Sequence, residues 1–153
     1  EGHEEIHMMK SFRGLLASGD QITIRLGTLK GELGYKIKKF EIIGTQPGTE
    51  TLELTGKIYT FSQDTVNSLI DFSNSELLGV AYYEQNSGTN YQPAPIIIFD
   101  NVTFNQDIFI TAFDDTTSAP NGKPMNYYLE LEQVKLDLSE AAVATLKDMR
   151  GTN

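Results

Sequence analysis

Residues 3–7 read His3-Glu4-Glu5-Ile6-His7, and no other stretch has the spacing of a reactive centre. Two histidines four apart share one helix face, and a glutamate between them can activate a zinc-bound water, which is peptidase chemistry. That chemistry needs a stable helix and a third ligand. The chain has no further histidine and no cysteine, so a distant carboxylate would have to complete the site. The helix would have only two residues before its first ligand and no cap, and helices that short are marginal without packing. The run therefore reads as a polar arm leading into the first strand, and it implies no metal and no cofactor.

Other polar groups invite weaker readings. Asp100, Asn101, Asn105 and Asp107 flank two apolar runs, and Asp114 and Asp115 follow them. Oxygen ligands on loops suit calcium, but the alternating Asp/Asn loop with its trailing Glu is missing. Asp and Asn are also the ordinary residues of turns, and turns are the expectation. Lys36, Lys38 and Lys39 form a basic cluster, which fits a guarded sheet edge better than an acidic partner. Tyr82, Tyr83 and Tyr91 border a polar loop. Their rings could stack on sugars, and packing in the core or at its rim is the plainer alternative. No nucleophile elbow or phosphate-cradling glycine loop is present.

Elements that would position these groups follow from periodicity. Apolar and polar residues alternate over Gln21–Leu26, Tyr35–Ile43 and Asn126–Leu138, the pattern of strands with one buried face. Further strands are predicted over 8–16, from Leu52 to Ile58, and over 77–83, 96–99 and 108–113. The apolar phase slips between Ile37 and Phe40, and again near Glu132 and Gln133, so a bulge is expected at each. Ser18-Gly19-Asp20 and Gln46-Pro47-Gly48-Thr49 should be turns. Val66, Leu69 and Ile70 have helical spacing, and Ser62 could cap a short helix there. Asp137 or Ser139 would cap a C-terminal helix that ends at Gly151.

The expected fold is all-β: a two-sheet antiparallel sandwich of jelly-roll type with a short C-terminal α-helix, a closed barrel being the alternative. Residues 1–10 form an arm, 11–138 the β domain, and 139–153 the helix and tail. A chain of 153 residues makes one domain and can bury a core without disulfides. Its formal net charge is -9. Affinity for nucleic acid comes from neutralising phosphates, so neither nucleic acid nor a membrane surface is an expected partner. Residues 1–10 carry Glu, His and Lys where a secretory leader would be apolar, and no leader is expected there.

Several stretches resemble virion structural proteins of marine tailed phages, of the kind found in phages of cyanobacteria. They are His7-Met8-Met9-Lys10-Ser11-Phe12-Arg13-Gly14, Tyr35-Lys36-Ile37-Lys38-Lys39-Phe40, Lys57-Ile58-Tyr59, Ile96-Ile97-Ile98-Phe99-Asp100-Asn101 with Phe104-Asn105-Gln106-Asp107-Ile108, and Asn126-Tyr127-Tyr128-Leu129-Glu130-Leu131-Glu132 through Met149-Arg150. The resemblance spans nearly the whole chain, and its motifs are structural. It implies a non-enzymatic role in a virion assembled in the bacterial cytoplasm, decorating or cementing the capsid or forming a head or tail appendage. The implied partners are other virion proteins and further copies of the chain, as a trimer or another symmetric oligomer. Ile6, Met8 and Met9 at one end, and Leu146 and Met149 at the other, are the candidate docking residues. A carbohydrate-binding or host-recognition module is the alternative reading.

Overall fold

A computed structural model describes residues 8–27, 33–86, 91–92, 95–99, 102–116 and 122–136. The strands are β1 (Met8–Leu16), β2 (Gln21–Ile24), β3 (Leu33–Ile43), β4 (Leu52–Tyr59), β5 (Leu77–Gln85), β6 (Tyr91–Gln92), β7 (Ile96–Ile98), β8 (Ile108–Asp114) and β9 (Met125–Lys135). They form two antiparallel sheets. One has the order β1-β9-β3 and the other β2-β8-β4-β5-β6, with β7 also paired to β5. The described residues contain no helix. The expected arm and C-terminal helix fall mainly on residues 1–7 and 137–153, outside those described.

Alternation places the core. In β9, Met125, Tyr127, Leu129 and Leu131 are buried, and the residues between them are half-exposed. Leu129 stands opposite Phe12 on one side and Phe40 on the other, so three apolar residues make one row across the small sheet. That row joins Leu52, Leu54 and Ile58 of β4 in one continuous core. Gly56 lets the sheets approach closely. A Cβ there would lie 3.0 Å from Met125 Sδ and 3.1 Å from Ile42 Cγ2, so a side chain would push β4 away from β9 and β3.

β4 is buried on both faces. Its second face lies under the segment 60–76, which folds back so that Leu69 O and Asn67 Oδ1 accept hydrogen bonds from Lys57 Nζ. A small second cluster of Tyr59, Leu77, Val80 and Phe99 forms on this side. Phe72 meets Phe99 edge to face, with ring centroids 5.3 Å apart.

The two expected turns are present, and Gly19 (φ 88°) and Gly48 (φ 87°) supply their left-handed positions. Two expectations need correction. No helix forms across Ser62–Phe72. Asn67, Asp71 and Asn74 each accept the backbone N–H two residues on, and these local bonds replace the helical ladder. The final strand has no bulge near Glu132 and Gln133, because its pairing with β1 runs unbroken from Met125 to Gln133. The shift in the small sheet lies in β3, between Ile37 and Lys39, where the other phase slip predicts it. The phase change late in β9 instead marks its end, where Leu136 packs over Gly34 beside Thr103.

Leu129→Ala should cost about 3 kcal/mol, the usual loss for a leucine with no room to collapse around it. Leu15→Ala, on an exposed position of β1, should cost under about 0.5 kcal/mol. Urea denaturation midpoints of the two variants, taken at a dilution where light scattering gives the single-chain mass, check this difference.

Candidate functional site

Asp114 is the most heavily bonded polar side chain among the described residues. It ends β8 and is only 1% exposed. Its Oδ1 accepts the backbone N–H groups of Glu53 (3.3 Å) and Thr116 (3.1 Å) and the Thr116 hydroxyl (2.7 Å), while Oδ2 accepts Lys123 N–H (2.8 Å). The Asp114 N–H in turn donates to Ser18 Oγ at 2.8 Å. The carboxylate thus ties together β4, the end of β8 and the approach to β9, and the backbone N–H of the same residue adds the turn after β1. Burial pushes its carboxyl up, but the bonds from Lys123, Thr116 and Glu53 outweigh that and hold it below the ordinary value. Asp107 does the same work on a smaller scale, accepting Leu26 N–H at 2.8 Å. These aspartates complete the backbone bonding of turns and strand ends. Asn105 is also buried, and among the described residues no three His, Cys, Asp or Glu side chains gather as metal ligands.

The tyrosines do not form a common platform. Tyr82 and Tyr83 are neighbours in β5, so their rings point to opposite faces. Tyr83 lies in the core at 5% exposure and donates to Gln85 Oε1 at 2.6 Å. It is a packing residue, not a sugar-stacking surface. Tyr82 is half-buried on the outer face, opposite Thr55, and burial first, then the charges of Glu53 and Glu84, push its phenol up. Tyr91 stands in β6 opposite Gln85. Met8 and Met9 open β1 and are about half exposed. His3, Ile6, His7, Asp100, Asn101, Leu146 and Met149 lie outside the described residues. Lys36, Lys38 and Lys39 lie along β3, an edge of its sheet, where Lys38 reaches Glu132 (3.8 Å) and Lys39 reaches Glu41 (3.7 Å).

Two features escape sequence reading. The first is Lys57. Its side chain is buried under the segment 60–76, with the neutral acceptors Asn67 and Leu69 and the Tyr59 ring beneath it, 5.6 Å from Nζ to the centroid. Burial lowers its pKa. The second is a trough of about 680 Å³ on the small sheet. It is lined by Arg13, Gly14 and Leu15 of β1, Glu41, Ile42 and Ile43 of β3, and Asn126, Tyr127 and Tyr128 of β9. Tyr128 stands in register between Arg13 and Glu41. Its hydroxyl donates to Glu130 Oε2 at 2.6 Å, and that bond pushes the phenol up. The sequence signal was an outward tyrosine in an alternating strand. Its neighbours come from segments too distant in sequence to be read together.

No family model, curated protein or solved structure matches this chain.

Asp114→Asn turns one acceptor into a donor facing backbone N–H groups, and it should cost about 2 kcal/mol or more. The pH dependence has a definite sign. A carboxyl held below its free value of 3.8 contributes stability that is complete above that value and lost as pH falls through the folded value. Thermal melts from pH 6 down to about pH 2 should show that acid loss in the wild type and a shallower one in Asp114→Asn.

Proposed function

We propose that the chain is a non-enzymatic structural protein of a tailed-phage virion, built as a jelly-roll sandwich that decorates or cements the capsid through contacts between copies. Nested strand pairing supports the jelly-roll part. β1 pairs with β9, β2 with β8, and β4 with β5. Between them, β3 takes an isolated bridge from Tyr35 to Phe104, just before β8. First meets last, second meets next to last, and so inward, while β1, β2, β3 and β4 alternate between the sheets. A long hairpin rolled on itself has this order, and capsid and lectin domains share it. Fold alone does not decide function.

The observation that carries the reading is where the described residues spend their chemistry. Asp107 and Asp114 hold turns and strand ends, and Lys57 holds a covering segment. Several large apolar side chains remain exposed: Met8, Met9 and Leu15 on β1, Leu33 and Ile43 on β3, Ile96 and Ile97 on β7, and Leu69, Ile70 and Phe72 on the segment 60–76. Exposed apolar groups gathered on particular elements suit protein contacts.

Particles of a phage encoding this chain, purified by density gradient, should contain it in many copies per virion by quantitative peptide mass spectrometry. Recovery only from the unassembled lysate fraction would refute the reading.

A second reading has one observation of its own. In the trough, Tyr128 offers a ring flanked by Arg13, Glu41 and Asn126 as hydrogen-bonding groups, the mixture that binds a sugar face and its hydroxyls. This reading moves carbohydrate binding from Tyr82, Tyr83 and Tyr91 to Tyr128. Under it, a glycan array would capture the chain and Tyr128→Ala would weaken the captured glycan about tenfold. An array with no hit would remove it.

A further inference from the structure

We propose that β1 is a dimerisation strand, pairing antiparallel with β1 of a second copy about a two-fold axis at Phe12. The proposal deepens the oligomeric part of the reading above and stands apart from its virion part.

Among the described strands, β1 pairs only with β9 and is one margin of the small sheet. Among the described residues no strand pairs with its other side, whose row of backbone donors and acceptors can take a further strand. The remaining margins are poor candidates. β2 has four residues, β7 three and β6 two. β3 carries three lysines and is kinked by the register shift at Ile37/Lys39, both of which deter pairing. β1 has nine residues, no proline and an unbroken register.

Side chains select the partner and the register. Met9, Ser11, Arg13 and Leu15 are exposed, and they alternate with half-buried Lys10, Phe12 and Gly14. A two-fold perpendicular to the sheet keeps each face on its own side, so opposed residues must have the same parity. Centring it on Lys10 or Arg13 sets that cation against its own copy, which is destabilising. Centring it on Ser11 sets Met9 against Arg13 and leaves Leu15 unpaired. Centring it on Phe12 engages all nine residues. Met9 then faces Leu15 of the second copy, twice by symmetry, and these two side chains are 50% and 58% exposed in the single chain. Arg13 meets Ser11, and Lys10 meets Gly14, so no like charges oppose. The Lys10 ammonium already turns back to Tyr35, 3.4 Å from its hydroxyl.

A seam of one strand pair is smaller than the roughly 1,600 Å² of a standard interface. The dimer should therefore be concentration-dependent, with the light-scattering mass rising from 17.0 kDa toward twice that value. Because the chain lacks cysteine, the register can be read by cross-linking. Met9→Cys and Leu15→Cys are each made singly, at exposed positions, and circular dichroism checks that each folds. With a short bis-maleimide cross-linker, which adds one thiol at each end, each variant alone should give no covalent dimer, because identical positions lie about 20 Å apart across the axis. An equimolar mixture should give a covalent dimer joining one variant to the other, since opposed Cβ atoms lie about 5 Å apart. No dimer from the mixture, or equal dimer from either variant alone, would overturn the proposal. The purified chain suffices, so a negative result here leaves the particle measurement to judge the virion reading separately.

Discussion

The small sheet depends on one strand bonded on both sides. β9 comes from residues 125–135, yet its neighbours are β1 and β3 from the first third of the chain. Its inward residues Met125, Leu129 and Leu131 have no exposed surface. Without β9, β1 and β3 would have no ladder between them, and Phe12 and Phe40 would lose the leucine that joins them. Pairing so distant in sequence closes long loops before any contact rewards them. Topology of this kind slows folding as a whole.

Buried polar groups show how the rest is fixed. Asp114 anchors three segments through hydrogen bonds to a charged acceptor, the strong kind, and holds the Ser18 turn through its backbone N–H. Lys57 has the opposite character. It sits on β4 between Ile58 and Gly56, in a strand buried on both faces, and its acceptors are a side-chain amide and a backbone carbonyl. An ammonium without an opposing charge is costly to bury, and its lowered pKa records that cost. The segment 60–76 recovers part of it by supplying those acceptors and by seating Phe72 on Phe99. A buried lysine thus specifies where an otherwise irregular segment lies.

Strands were legible because alternation is a local signal, and β3 announced its irregularity through the phase slip after Ile37. β9 misled because the same slip near Glu132 marks the strand's end, where Leu136 packs against Gly34 and Thr103. Segment 60–76 misled because Val66, Leu69 and Ile70 keep helical spacing while Asn67, Asp71 and Asn74 offer the backbone a competing set of bonds. The trough was beyond reach for a different reason. Arg13, Glu41 and Tyr128 have no common local pattern, and only the register of three strands brings them together. Tyr82 and Tyr83 looked like a pair because they are adjacent, and adjacency in a strand is what separates them.

The two margins of the small sheet differ, and the difference bears on what an assembly of this chain can become. An open sheet with two receptive edges adds strands without limit and makes fibres. Here β3 carries Lys36, Lys38 and Lys39, and the register shift bends it where Lys38 projects. β1 keeps a straight ladder with Met9 and Leu15 outward. Pairing β1 with its own copy uses up the receptive edge of both chains and leaves a guarded β3 at each outer margin. The contact is isologous, and growth by this route stops at two. An oligomer larger than a dimer would then need a second, different surface, and the exposed Leu69, Ile70 and Phe72 lie on the covering segment of the other sheet, away from that seam.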